Sequence, residues 1–313
     1  MASVAVLLAT YNGERYVGEL LESLFAQSCT DWHLIVSDDG SQDGTPDILQ
    51  RFLARYPDRM TLLPPHAATG SSKENFLYLT DAAGGYDYYM YCDQDDVWLP
   101  DKIGLTLDKM NETEAGEADV PCLVHTDLEV TDAEMRPLHQ SFFYSSFLDP
   151  GRDQLRYLLI QNIVTGCTVM FNRALRDLCC LQADHDRIVI HDWWIALVCA
   201  ACGGRIGFLP RATIRYRQHG GNVVGAKDVR SLRYMMGYFG RIRKNRSSLR
   251  ASQAQAMNLL ETLGSRLGDR ERLLLAEYGR IGEKGRIGRI RVIVRHGIWL
   301  KGFKRKAGEL LLI

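Results

Sequence analysis

The chain has no apolar run approaching the roughly 20 residues that a membrane-crossing helix needs. It also lacks both glycine-rich phosphate loops, the dinucleotide-binding kind and the P-loop kind, at the ends of its apparent strands. Those absences speak against NAD binding and ATPase chemistry. No basic segment precedes the first apolar stretch, Met1 to Thr10, which is too short for a secretory leader, so the cytoplasm is the expected compartment. Eight cysteines are present, most of them inside apolar segments, which suits reduced and buried thiols. Cys199 and Cys202 have redox-motif spacing, but no second pair completes a zinc site.

A net charge of zero conceals an uneven distribution. Residues 1–224 carry 17 Lys and Arg against 31 Asp and Glu, whereas residues 225–313 carry 21 against 7. A basic end of this kind meets something anionic: a membrane, a nucleic acid, or the acidic front of the same chain. With no nucleic-acid-reading motif in it, no nucleic-acid partner is expected.

The front of the chain alternates strands and helices. Val4 to Ala9 is an apolar run of strand length that stops at Thr10-Tyr11-Asn12-Gly13. Tyr16, Leu20, Leu21, Leu24 and Phe25 recur at helical spacing, and His33 to Ser37 forms a second strand ending in Asp38-Asp39-Gly40-Ser41-Gln42-Asp43-Gly44-Thr45. A helix from Pro46 to Tyr56 and a strand from Met60 to Leu63 follow. This order predicts an open α/β sheet with ligands outside the carboxyl ends of its strands. Gly70 to Leu77 opens another helix, where Lys73 and Asn75 either reach a ligand or belong to a solvated helix start.

Tyr88 to Cys92 reads as a buried central strand, and Asp93-Gln94-Asp95-Asp96 at its end packs three carboxylates into four residues. Their mutual repulsion is offset either by a cation, for which Mg²⁺ or Mn²⁺ suits oxygen ligands that bridge to phosphates, or by water, as a solvated acidic turn before the helix that follows. Beyond them lie a helix from Asp101 to Met110, a strand ending at Asp127, an aromatic loop from Met135 to Gly151, a helix from Leu155 to Ile163 and a strand from Thr165 to Phe171. His191-Asp192-Trp193-Trp194 opens an apolar helix. Arg205 to Pro210 and Ala212 to Tyr216 read as a strand pair, ending in Arg217-Gln218-His219-Gly220.

Thr10-Tyr11-Asn12, the Asp38 to Thr45 run, Asp93-Gln94-Asp95-Asp96 and His191-Asp192-Trp193-Trp194 resemble, in order, the motifs of family 2 inverting glycosyltransferases with the GT-A fold. Val97 to Lys102 and Tyr216 to Gly220 are most similar to the subgroup called rhamnosyltransferases. The resemblance implies a mixed sheet flanked by helices with a helical carboxy-terminal extension. It divides the chain into a domain over 1–224, with a nucleotide-binding half (1–120) and an acceptor half (121–224), and a basic helical region over 225–313. It implies that Thr10, Tyr11, Asn12 and Asp39 hold the nucleotide, that Asp93 lies near the ribose and Asp95 on the metal, with Asp96 able to exchange with either, and that Gly166 sits beside the donor.

Inverting transfer needs a base for the attacking hydroxyl. Asp192 takes that role by resemblance, with Trp193 and Trp194 suited to stacking on sugar and His191 in support; a helix cap is the plain alternative. His219 becomes a further metal ligand or a donor to the diphosphate, and Asp127 either faces the sugar or lies solvated at a sheet edge. Helices are expected over Tyr234–Ile242, Ala254–Leu267 and Arg270–Tyr278, and Arg286 to Lys306 reads as a basic amphipathic helix lying on an anionic membrane or packed on the acidic front half. The expected activity is metal-dependent transfer of a sugar, rhamnose first, from a dTDP- or UDP-linked donor to a glycan, lipid-linked if the membrane contact holds. The rivals are a galactosyl-, glucosyl- or N-acetylhexosaminyltransferase using a UDP-sugar, and a non-catalytic nucleotide-sugar or membrane-binding module.

Overall fold

The computed structural model describes residues 3–219 and 242–299. Strand β1 (Val4–Thr10) is buried along its whole length, as an uninterrupted aliphatic run in the middle of a parallel sheet must be. It is flanked by β2 (Trp32–Asp38) and β4 (Tyr88–Asp93), both parallel to it, and β3 (Met60–Leu62) extends the sheet beyond β2. Helix α1 (Val17–Phe25) buries Val17, Leu20, Leu21 and Leu24 against this sheet, the stripe its sequence spacing dictates. Helices α2 (Thr45–Arg55) and α3 (Ser72–Ala82) complete the alternation; Pro46 occupies the first turn of α2, and the Ser71 hydroxyl caps α3 by accepting from the Glu74 N–H.

Past β4 the sheet becomes mixed. After the two-residue β5 (Val97–Trp98) and helix α4 (Lys102–Glu114) come β6 (Cys122–Thr131), β7 (Pro137–His139) and β8 (Met170–Asn172). Among the described residues the strand order is β3-β2-β1-β4-β8-β6-β9-β5, where β9 is Arg205–Arg217, with β7 on β6. β8 runs antiparallel between β4 and β6.

Several boundaries differ from the sequence expectation. Helix α4 continues one turn past Met110 because the Glu114 carboxylate is buried as an acceptor for the Tyr88 hydroxyl (2.7 Å) and the Asn172 amide (2.9 Å). The expected strand over 165–171 is a 3₁₀ turn, Gly166–Thr168, followed by the short β8, and the expected helix over 155–163 is the single turn α6 (Leu155–Leu158). The expected strand pair is one strand, β9 (Arg205–Arg217), parallel to β6. Its register jumps from Leu209 opposite Thr126 to Ala212 opposite Asp127, so Pro210, which has no N–H to give, and Arg211 bulge out of the ladder. The aromatic loop contains a helix of its own, α5 (Phe142–Ser146).

Helices α7 (Arg173–Cys179) and α8 (His191–Ala201) cover one face. Three further helices, α9 (Ile242–Leu263), α10 (Asp269–Gly279) and α11 (Arg286–His296), pack on that cover. Leu259 and Leu263 of α9, Leu275 and Tyr278 of α10, and Val292 and Ile293 of α11 belong to the same apolar cluster as Trp194 to Val198 of α8. The seam is also polar: Asn258 accepts from the Asp184 N–H (3.0 Å) and donates to its carbonyl (2.8 Å), and the Gln255 amide oxygen accepts from the Val189 N–H (2.7 Å). The described part of the basic region, residues 242–299, therefore docks on the α/β layer through its apolar side. The expected helix over 234–242, all but its last residue, residues 300–306 of the basic segment and the proposed division at 224 lie outside the described residues.

Candidate active site

Crossing loops at the carboxyl ends of β1 and β2 build one end of a cavity of about 570 Å³. The Thr10 hydroxyl donates to Asp38 (2.7 Å), whose other oxygen accepts from the Ser41 N–H (2.8 Å). Asn12 stands at φ +46°, a conformation Asn tolerates, and its side-chain oxygen accepts from the Gln42 N–H (2.8 Å). Asn12 thus joins the two loops and does not itself line the cavity, whereas Thr10, Tyr11 and Asp39 do. The buried Asp39 carboxylate accepts from the N–H groups of Thr69 (2.6 Å) and Gly70 (2.8 Å), fixing the approach to α3.

Helix α3 brings Asn75 to the cavity, with its amide donating to the Ser37 carbonyl at 3.1 Å. Lys73 goes elsewhere. Its ammonium donates to the carbonyls of His185 (2.6 Å) and Ile188 (3.2 Å) and pairs with Glu74, so it fastens α3 to the chain before α8 and does not line the cavity. Gln94, to which the sequence reading gave no task, clamps Tyr11: its oxygen accepts from the Tyr11 N–H and its nitrogen donates to the Tyr11 carbonyl, each at 2.8 Å. A side chain at Gly13 would put its Cβ 2.3 Å from the Gln94 oxygen, so the clamp needs glycine there.

At the end of β4, Asp93 and Asp95 both line the cavity. Burial, reinforced by the charges of Asp95 and Asp192, holds the Asp93 carboxyl above the usual carboxylate range. The His219 ring lies 2.8 Å from an Asp95 oxygen and against the Tyr16 ring, 4.8 Å between centroids. Asp96 turns away: it is fully buried and accepts from the Arg217 N–H (3.0 Å), so it does not stand in for Asp93 or Asp95 on the cavity wall. Arg217, also missed from sequence, donates to the Asp95 carbonyl (2.8 Å), the Ala133 carbonyl (2.7 Å) and Glu19, bracing the acidic turn from behind.

Two donor sets can be considered for a cation. Asp93, Asp96 and Cys167 bring one ligand atom each within 4.8 Å of one another. Burial raises the Cys167 thiol well above its ordinary pKa, and a neutral thiol is a poor ligand for Mg²⁺ or Mn²⁺. Asp93, Asp95 and His219 offer the oxygen and imidazole ligands that suit such an ion, with His219 on Asp95, although their ligand atoms do not gather as closely as those of the first set.

Asp192, on the first turn of α8 and only 8% exposed, lines the same cavity. One oxygen accepts from the Asn162 amide (3.0 Å) and the other from the Gly166 N–H (2.9 Å). Burial outweighs these bonds and pushes its pKa up to about 7. Gly166 lies so close that a Cβ there would come 2.8 Å from the His191 ring. His191 is buried, stacked on Phe76 at 4.1 Å, and desolvation lowers its pKa to about 3, so a neutral ring supports the wall. Trp193 and Trp194 do not line the cavity. Helical geometry rotates them about 100° and 200° from Asp192, so Trp193 donates to the Leu158 carbonyl (2.6 Å) and Trp194 is in the core. Asp127 likewise faces neither sugar nor solvent: it is buried and accepts from the Ser141 hydroxyl (2.5 Å) and the Phe142 N–H (3.0 Å).

Asp39, Asp93, Asp95 and Asp192 thus share one cavity. The sequence profile described as Glycosyl transferase family 2 matches residues 5–179, more than half the chain. The protein belongs to glycosyl transferase family 2. This glycosyltransferase is rhamnosyltransferase-like: it is 27% identical over 237 residues to the dTDP-rhamnosyl transferase RfbG of Shigella flexneri, covering 70% of this chain and 74% of that one. It is 30% identical over 233 residues to the uncharacterized protein Rv1520 of Mycobacterium tuberculosis, covering 69% and 59%. Its fold matches S. aureus TarS 1–349 in complex with UDP (TM-score 0.56, 17% identity, 96% and 93% covered) and the mannosyltransferase PcManGT of Pyrobaculum calidifontis in complex with GDP-Man and Mn²⁺ (TM-score 0.54, 18% identity, 98% and 78% covered). The mixed sheet with flanking helices is GT-A-like.

Within this glycosyltransferase the cavity has two chemically different ends. Loops rich in hydrogen-bonding groups form one, while Leu128, Phe142, Leu148, Ile163 and Val164 give the other an apolar wall.

Proposed function

We propose that the protein transfers a sugar, with inversion, from a nucleotide diphosphate to a glycan hydroxyl, and that Asp192 is the base. The convergence of Asp192 with Asp93 and Asp95 on one cavity carries this reading. Asn162 and Gly166 aim the Asp192 carboxylate. Its raised pKa makes it basic enough to take a hydroxyl proton while still largely ionised just above neutral pH. Thr10, Tyr11, Asp39 and Asn75 hold the nucleotide, and Gly166 lets the donor approach. Asp93, Asp95 and His219 would hold Mg²⁺ or Mn²⁺, which neutralises the diphosphate and stabilises it as a leaving group.

The similarity to RfbG favours dTDP-rhamnose as donor, with UDP-sugars as the rival. A lipid-linked acceptor in surface polysaccharide assembly, at the inner face of the plasma membrane, agrees with the outer side of α11. There Ile287 (71% exposed) and Val294 (60%) stand among the exposed Arg286, Arg291 and Arg295, a pattern suited to an anionic lipid surface. No helix of the described residues is long and apolar enough to cross a membrane. Incubation with dTDP-rhamnose and UDP-sugars, with and without Mn²⁺, tests the donor: release of dTDP from dTDP-rhamnose alone supports it, and release of UDP alone replaces it. Flotation with anionic liposomes tests the membrane contact, and full-length protein left at the bottom of the gradient rejects it.

A further inference from the structure

We propose that Gln255 and Asn258 of α9 are positioning residues for Asp192, holding the segment that leads into α8 so that the carboxylate keeps its place on the cavity wall. The proposal rests on the reading of Asp192 as the base and not on the identity of the donor.

Helix α8 has little of its own to fix where it starts. A Ser, Thr, Asp or Asn at that point would accept from an N–H of the first turn. Here the position is Ile190, which has no such side-chain atom and caps nothing. Ile190, His191 and Asp192 nevertheless all line the cavity. Their placement therefore depends on the chain just before them, residues 184–189, which forms a single 3₁₀ turn at His185–Arg187 and belongs to no sheet.

Lacking a ladder, that segment has its backbone groups held by side chains from two other elements. From α3 the Lys73 ammonium reaches the carbonyls of His185 and Ile188. From α9 come Gln255 and Asn258, three residues apart and so on one face of the helix. Asn258 bonds both the N–H and the carbonyl of Asp184, as a neighbouring strand would, and the Gln255 oxygen takes the Val189 N–H, one residue ahead of the cavity wall.

Gln255 is the more telling of the two. It is fully buried, and its amide nitrogen has no hydrogen-bond partner among the described residues. A buried unpaired donor destabilises the fold, and a methionine would fill the same space without one. Packing therefore does not select glutamine here; its oxygen on Val189 does. The carboxy-terminal helices thus belong to the reaction machinery, whatever their outer side meets.

Full-length wild type, Gln255→Met, Asn258→Leu, Leu259→Ala and Asp192→Asn are to be compared for release of dTDP from dTDP-rhamnose and of UDP from UDP-glucose, with Mn²⁺ present and water as the attacking hydroxyl. Gln255→Met should lower kcat about tenfold, part of the roughly hundredfold that a misplacement of about 1 Å costs. Its donor KM and dTDP affinity should stay within about twofold of wild type. Its melting temperature should equal or exceed wild type, because the unpaired amide is gone. Asn258→Leu should lower kcat at least as far at the same KM. Leu259→Ala opens the same apolar seam without touching residues 184–189, so it should lose melting temperature and keep wild-type kcat. Deuterium exchange needs no donor: the amides of residues 184–192 should exchange faster in Gln255→Met than in wild type. Unchanged kcat or unchanged exchange in Gln255→Met overturns the proposal. So does a KM that rises as much as kcat falls, or a loss of kcat in Leu259→Ala as large as in Gln255→Met, which would reduce the effect to loosened docking. Wild-type release by Asp192→Asn would strike the base reading itself, whereas release lost there and kept in Gln255→Met strikes only the positioning role.

Discussion

The two ends of the cavity are built by opposite means. At the nucleotide end, loops from different strand ends cross-brace one another through many hydrogen bonds: Asn12 to Gln42, Gln94 to Tyr11, Asp39 to Thr69 and Gly70. At the other end two hydrogen bonds, from the Asn162 amide and the Gly166 N–H, hold Asp192, and the cavity wall there includes the apolar Ile163, Val164 and Ile190. In the proposed function the first end gains affinity for the nucleotide from preorganised polar groups. The second accepts the cost of burying a carboxylate, which is what raises its basicity.

That contrast can be broken most sharply at Asp192. Asp192→Asn should lower transfer by about 10²–10⁴, the range for losing a general base, while leaving dTDP binding unchanged. The variant should also be more stable than wild type at pH 8. The folded carboxyl titrates near 7, above its unfolded value, so the charged form destabilises the fold increasingly as pH rises from the unfolded pKa through 7. Equal melting temperatures at pH 8, with a gap opening only at pH 4, would contradict that sign. For the same reason transfer by wild type should climb across pH 6 to 8 with a midpoint near 7. A flat profile in that range would remove the assignment.

Effects at the nucleotide end should be smaller and confined to binding. Gln94→Leu deletes two hydrogen bonds worth about 1 kcal/mol each, so the donor KM should rise roughly tenfold or more with kcat little changed. Lys73→Met should do least to the donor, within about twofold of wild-type KM, because its ammonium serves carbonyls outside the cavity. A large KM increase would return Lys73 to the donor site.

How much of this was legible in sequence differs between the same two ends. The strand-to-loop transitions at Thr10, Asp38 and Asp93 follow from apolar runs ending in turn-forming and acidic residues, and the parallel core follows from them. Gln94 stood in view between two acids, yet only folding shows that it spans 83 residues to Tyr11. Asn162 carried no local signal at all. Trp193 and Trp194 misled because aromatic character says nothing of direction; once α8 is buried on nearly every side, only its first turn reaches the cavity. Asp127 misled in the same way, since a carboxylate at a strand end can hold a loop as readily as a ligand. The β9 bulge, too, needed the register to appear: Pro210 suggested a break between two strands and is instead an interruption within one.

Calorimetric titration of dTDP with and without Mn²⁺ into wild type, Asp95→Asn and Asp192→Asn tests most directly whether the acids do separate jobs in one cavity. Wild type and Asp192→Asn should both bind dTDP more tightly when Mn²⁺ is present, and Asp95→Asn should lose that enhancement. If Mn²⁺ changes nothing in wild type, or if Asp192→Asn loses the enhancement while Asp95→Asn keeps it, the division of labour proposed for these carboxylates is wrong.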